Sequence, residues 1–350
     1  MTYSRQKILR LVNLLVLFYL LVLGVQLFRR GIVSVEPESL HMLDLDRSVI
    51  NSFGKGWAAA MMILSGSPVA AISVGLHSSS VINAYSAVSA ILGSRVGATA
   101  VVFLLGGMYY LKGKRLKRSL GSPTIIFLIT FIMSAVALVL ALISVKAGVI
   151  GAETQLIDGI LPDVNEPAGS SLADRLCTLL GGTGTLMAGV VLIVLVVELL
   201  EKVLVLPEDR KMLESTGVVD KFIKNPYMSF MTGLFLTAIF FTIAVSFSLL
   251  VPLYASKRIR REHMIPYIIG GNIGTFSDTV LVALVTGSAK TTAVVSVCVV
   301  ANIIVAAILL SRKNFSGEVI AISDYILARR KRTLFFVIAL ITTPLAITLL

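Results

Sequence analysis

Charge is what this sequence has least of. Only 14% of its 350 residues are Asp, Glu, Lys or Arg, against 56% apolar residues, and the mean hydropathy is +0.93. A soluble surface draws on about a quarter charged residues, so this composition excludes a soluble globular protein and indicates a polytopic membrane protein. Histidine is nearly absent too, and His41 and His263 fall in loops. Cys177 and Cys298 lie in apolar segments with no His or Cys at metal-ligand spacing, which makes them core residues that say little about redox compartment. Catalytic strings are missing: there is no His-Glu-x-x-His, no pair of intramembrane aspartates, no Gly-x-Ser-x-Gly and no phosphate-binding loop. The chain therefore reads as no enzyme, and chemistry on a lipid-linked phosphate is left without residues to name.

The net charge of +12 does not point to nucleic acid, because the cations sit in short loops between apolar runs, where membrane topology accounts for them. The first run, Ile8 to Phe28, has 21 residues, or about 31 Å of helix. Arg29-Arg30 follows it with no small-residue cleavage site, so an uncleaved first helix is expected. Further spans are expected at Pro123 to Val145 and Thr178 to Leu200, with an acidic linker between them and a polar stretch from Glu201 to Lys224.

The most unusual stretch runs from Ile268 to Asp278 inside an apolar segment, with three glycines, Asn272, Thr275, Ser277 and a carboxylate. Such groups are unfavourable at membrane depth unless they face protein, water or a ligand, so a broken helix lining a site is expected. An echo lies 177 positions earlier: Gly93 falls on Gly270, Arg95 on Asn272, Gly97 on Gly274 and Gly56 on Gly233. Duplication combined with interrupted membrane helices is the pattern of secondary transporters. Ser65-Gly66-Ser67-Pro68 breaks an earlier apolar run and suits the tip of a re-entrant hairpin.

The expected fold is an all-α polytopic membrane protein of two inverted-topology repeats, each with a re-entrant helical hairpin and an interrupted transmembrane helix. Repeat 1 covers 1–145 (hairpin about 55–82, broken helix about 84–111), followed by an extracellular linker, 146–175. Repeat 2 covers 176–311 (hairpin about 226–254, broken helix about 264–286), and 312–350 holds a cytoplasmic segment and a final span. With both hairpins re-entrant, about seven spans place 23 basic residues on one side and seven on the other, leaving Arg95 in the middle. That bias assigns the 23, and the N-terminus, to the cytoplasmic side of the cell membrane.

Gly270-Gly-Asn-Ile-Gly-Thr275 closely resembles the Gly-Ala-Asn-Ile-Gly-Thr signature of the type II sodium-phosphate cotransporter family. Gly181 to Gly184, Asn225-Pro226 and Gly233 with Leu236-Thr237-Ala238 are similar as well, so that the likeness covers most of 178–290 and, more weakly, 53–111. It implies sodium-coupled phosphate transport. Family hairpins carry a Gln-Ser-Ser-Ser tip, whereas the equivalent places here are Ser65-Gly66-Ser67-Pro68 and Phe241-Thr242-Ile243-Ala244. His77-Ser78-Ser79-Ser80 looks more like that tip but lies only 16 before Gly93 and is treated as a decoy.

Arg95 stands where the signature has Asn. Its planar fork suits phosphate or carboxylate oxygens; alternatively it takes the place of a bound cation, or forms a buried ion pair with Asp278. Ser65, Ser67, Arg95, Thr99, Thr242, Asn272 and Thr275 are the candidate substrate contacts. Asn272, Thr275, Ser277 and Asp278 are candidate ligands for sodium, a hard cation. Asp278 alternatively carries a coupling proton or neutralises Arg95. No cofactor is expected beyond such an ion; the expected partners are a small anion, sodium or a proton, and the bilayer, with a homodimer left open. Two alternatives stand beside sodium-coupled phosphate transport: sodium-independent anion transport with Arg95 in place of the cation, and a degenerate, non-transporting scaffold or regulator.

Overall fold

The computed structural model describes residues 2–35, 46–111, 116–158, 170–204, 225–241 and 243–349. The polar stretch 205–224, the middle of the linker and Thr242 lie outside the described residues. Among those described, every regular element is a helix, as hydrocarbon requires of a chain that must satisfy its own backbone groups. Among the described residues, seven stretches are long and apolar enough to cross a bilayer: Val12–Ser34, Ala84–Leu111, Ser119–Lys146, Leu172–Leu200, Arg261–Val285, Ala289–Ser311 and Arg330–Leu349. The chain is thus a multi-pass membrane protein.

The first half contains α1 (Thr2–Ser34), α2 (Val49–Ile63), α3 (Ser67–Ser78), α4 (Ala84–Ala98), α5 (Ala100–Leu111), α6 (Leu116–Lys146) and α7 (Val149–Asp158). The second contains α8 (Ser170–Leu204), α9 (Pro226–Phe240), α10 (Ile243–Ser248), α11 (Leu250–Ala255), α12 (Arg261–Gly274), α13 (Phe276–Val285), α14 (Ala289–Ser311), α15 (Phe315–Leu327) and α16 (Arg330–Leu349). Helix α6 runs through the middle, packing on α4, α5, α12, α14 and α15, with Ile125, Ile126, Ile129 and Met133 fully buried.

The spacing of 177 seen in the sequence is written into the backbone. Ser48 and Asn225 each cap the helix that follows with a side-chain oxygen, on the Asn51 and Met228 amides respectively. Those helices end in left-handed residues, Leu64 (φ 60) and Phe241 (φ 56), and the next turns hold a second such pair, Ser80 (φ 59) and Lys257 (φ 63). Left-handed backbone is uncommon outside glycine, so four non-glycine instances in two matched pairs mark one turn chemistry used twice. The bonds closing the second turn repeat as well: Ser79 N–H to Gly75 O and Val81 N–H to Leu76 O match Ser256 N–H to Pro252 O and Arg258 N–H to Leu253 O.

The glycines of the motif serve this packing. A Cβ on Gly93 would lie 2.1 Å from the Phe53 carbonyl oxygen, and one on Gly270 2.1 Å from that of Phe230. Gly97 meets the Trp57 carbonyl and Gly274 the Leu234 carbonyl at 2.2 Å in the same sense. Helices α4 and α12 therefore touch α2 and α9 backbone to backbone, which small residues permit in membranes. This corrects the expectation that the glycines unwind the helix. Gly93 to Ala98 and Gly270 to Gly274 are helical, and each interruption is a single residue, Thr99 or Thr275, that keeps right-handed angles.

Several helix boundaries also differ from expectation. Helix α2 starts at Val49 because Ser48 caps it there, and α12 starts at Arg261. Within the expected linker, Val149–Asp158 is helical and lies against α14. Helix α8 begins at Ser170 and is broken at Gly181 (φ 67, ψ 174).

Gly93→Ala and Gly270→Ala are each expected to destabilise the protein by about 1–3 kcal/mol through overpacking against a carbonyl. Gly107→Ala, with open space around the site, is expected to be neutral. Thermal unfolding of the three purified variants in one detergent checks this, and equal melting points would contradict it.

Candidate functional site

The two interrupted helices meet at a buried ion pair. Arg95, in the last turn of α4, is 2% exposed, and its guanidinium reaches the first turn of α13. Nη2 donates to Asp278 Oδ1 at 2.9 Å, and Nη1 donates to Thr275 Oγ1 at 2.9 Å and to Asp278 Oδ2 at 3.3 Å. Nη2 also donates to Thr279 Oγ1, whose own hydroxyl hydrogen goes to Asp278 Oδ1 at 2.7 Å. The guanidinium carbon stands 4.8 Å from the centroid of the Phe276 ring, which adds a cation–π contact on one face. Nε alone has no partner among the described residues.

The arrangement follows from the local sequence. Positions 275, 278 and 279 fall on one face of a helix, and an acidic residue in a first turn complements the helix dipole. A cation at mid-depth needs a counter-charge, and the bidentate carboxylate supplies it. Of the alternatives open for Arg95, the structure has the ion pair formed. Thr279 and Phe276 were not anticipated. Thr279 was discoverable, since it lies four residues after Thr275 on the same face.

The turn between α2 and α3 and the C-terminal end of α9, the expected hairpin tips, lie beside this pair. A Cβ on Gly66 would come 2.8 Å from the carbonyl oxygen of Ser94, so the first tip rests on the residue before Arg95. Ser67 Oγ donates to the Phe241 carbonyl at 3.0 Å and joins the two tips. Ser277 Oγ donates to the Ala238 carbonyl at 3.0 Å. Two hydroxyls from different segments thus satisfy carbonyls at the C-terminal end of α9, where the helix has no N–H donors of its own to offer them.

The predicted substrate contacts divide accordingly. Arg95 and Thr275 are together, and Ser67 lies at the junction of the tips. Ser65 is buried, Thr99 Oγ1 donates to the Val96 carbonyl at 2.7 Å, and Thr242 lies outside the described residues. The four proposed sodium ligands do not act as one set in this conformation. Asn272 donates its amide to the Ile268 carbonyl, Ser277 is turned to Ala238, and the guanidinium of Arg95 holds Thr275 and Asp278. Ser78, Ser79 and Ser80 lie at the far end of α3 from its tip, in the wall of a separate cavity of about 620 Å3 shared with Arg29, Arg30 and Asp174.

Protein-family models, curated sequences and solved structures were all compared with the chain, and none of them matches it.

Removing one member of the pair strands the other in an apolar interior. Asp278→Ala and Arg95→Ala are each expected to lower stability by about 3–5 kcal/mol, while Arg95→Met combined with Asp278→Leu recovers most of the loss. Unfolding of the four proteins under one condition measures the coupling. Single losses below about 1 kcal/mol would mean that the pair is solvated.

Proposed function

We propose that this chain is a carrier for a small anion, formed by two inverted repeats whose hairpins enter the membrane from opposite sides. The observation that carries the reading is the Arg95–Asp278 pair, which bridges the interrupted helices of the two halves, α4 to α13, beside both hairpin tips. Parity supports the inversion: among the described residues three candidate spans, Ala84–Leu111, Ser119–Lys146 and Leu172–Leu200, separate one hairpin from the other. An odd number of crossings brings the second copy in from the opposite face, as alternating access needs. The bias of basic residues assigns the second hairpin and the N-terminus to the cytoplasmic side of the cell membrane.

In this carrier the internal pair stands in for absent cargo. An anion with paired oxygens competes with the Asp278 carboxylate for the Arg95 fork. The released carboxylate then needs a sodium ion or a proton, because an isolated anion is strongly unfavourable there. Anion and cation therefore enter together, and the re-formed ion pair lets the empty carrier reorient without a buried net charge. Phosphate with sodium is the cargo implied by the likeness of Gly270 to Thr275 to the sodium-phosphate signature. Transport independent of sodium follows if Arg95 instead substitutes permanently for the cation.

One observation favours the second reading, a non-transporting scaffold: both oxygens of Asp278 and four of the five guanidinium N–H groups are engaged with protein partners, a closed arrangement that needs no ligand. Purified protein in liposomes decides between the readings. Labelled phosphate is expected to accumulate under an inward sodium gradient, and Arg95→Ala is expected to abolish accumulation. Equal uptake without sodium would assign the cation's role to Arg95, and absence of uptake for phosphate and for small carboxylates would leave the scaffold.

A further inference from the structure

A second, distinct cluster of cations lies where the first turn of α6, the turn between α11 and α12, and α15 meet. It surrounds a cavity of about 680 Å3, a size typical of small-molecule sites. Lys117, Lys257, Arg260 and Arg261 line it against two carboxylates, Glu262 and Asp324. Asp324 is already engaged, 2.9 Å from Arg261 Nη1 and 3.4 Å from Lys117 Nζ. Burial opposes its ionisation, but the hydrogen bonds and charges of Arg261 and Lys117 outweigh that and hold its pKa below the usual carboxylate value.

What remains is a set of unused donors. Arg261 Nε donates to the Tyr254 hydroxyl oxygen at 2.6 Å, leaving Nη2 without a partner among the described residues. Since that oxygen accepts, the phenolic hydrogen is available to another acceptor. The Tyr254 ring is braced against Gly121, where a Cβ would come within 2.9 Å of it. Lys257 and Arg260 are exposed, and their side chains have no hydrogen bond or ion pair with any described residue. Turn geometry does not demand these cations, because the matching turn of the first unit is made with Ser80 and Asn83. Membrane topology asks only for positive charge somewhere in the loop, and says nothing about convergence on one cavity.

We infer that this cavity binds a phosphate monoester dianion, held by Lys257, Arg260, Arg261 Nη2 and the Tyr254 hydroxyl, with Ile259 and Ile320 against its organic part. A lipid headgroup and a soluble ester share this chemistry. The inference goes beyond the carrier reading and does not rest on it, since none of its residues touches the Arg95–Asp278 pair.

The test is thermal unfolding of the full chain in phosphatidylcholine nanodiscs. Phosphatidic acid is added to the bilayer in one arm, phosphatidylglycerol in a second, and glycerol phosphate to the solution in a third. A rise of about 3 °C or more is expected with phosphatidic acid, glycerol phosphate or both. The arm that responds identifies the source, lipid or soluble. The rise is expected to vanish in Lys257→Gln with Arg260→Gln and to persist in Lys257→Arg with Arg260→Lys. The inference is overturned if no probe shifts the wild type, if the Gln variant shifts as much, or if phosphatidylglycerol, a monoanionic diester, is as effective as phosphatidic acid.

Discussion

A guanidinium in the middle of an apolar bundle must be met by an opposite charge, and here the partner comes from the other half of the chain. Arg95 and Asp278 are 183 residues apart, yet they share two hydrogen bonds in a dry setting. Desolvating two ions offsets most of their attraction, so such a pair contributes little net stability compared with apolar residues of the same size. Its influence is on specificity. Packings that part α4 from α13 leave a bare charge in the bundle, and only those that bring the helix breaks together are tolerated. The rest of the helical arrangement has to accommodate that contact.

The two halves share caps, turns and glycine contacts at a spacing of 177 and differ at the residues that carry chemistry. Ser48 and Asn225 start α2 and α9 alike, Leu64 and Phe241 end them alike, and the glycines of α4 and α12 press on equivalent carbonyls. Against that constant frame, Arg95 corresponds to Asn272, and Asp278 corresponds to Val101. Each half therefore contributes one charge of the pair and has an uncharged residue where the other half has its charge. Once two copies pack face to face, an unequal pair of substitutions is sufficient to build a polar centre that neither copy holds alone.

Much of this was legible in the residues. The spacing of 177 was visible because close backbone contact tolerates only glycine, and such positions resist change in both copies. Pairing of Arg95 with Asp278 was foreseeable from charge alone. The role of the glycines was misread: a glycine in a membrane helix signals either a break or a close neighbour, and the sequence does not separate the two when the neighbour is distant in the chain. Left-handed Leu64 and Phe241 were invisible, since their side chains give no hint of that backbone. Ser67 and Ser277 were picked out as ligand donors, and in this conformation they donate instead to the C-terminal carbonyls of α9. That use depends on where another helix ends, which no local pattern reports.

The proposed carrier requires two copies of one unit that enter the membrane from opposite faces. The most direct measurement is side-specific thiol labelling of Ser80→Cys and of Lys257→Cys, two exposed and structurally matched turn residues, each in a chain with Cys177→Ser and Cys298→Ser. An impermeant reagent applied to intact cells is predicted to label the cysteine at 80 and to leave the one at 257 unmodified until the membrane is opened. Labelling of both from the same face would contradict the inversion and the carrier mechanism built on it.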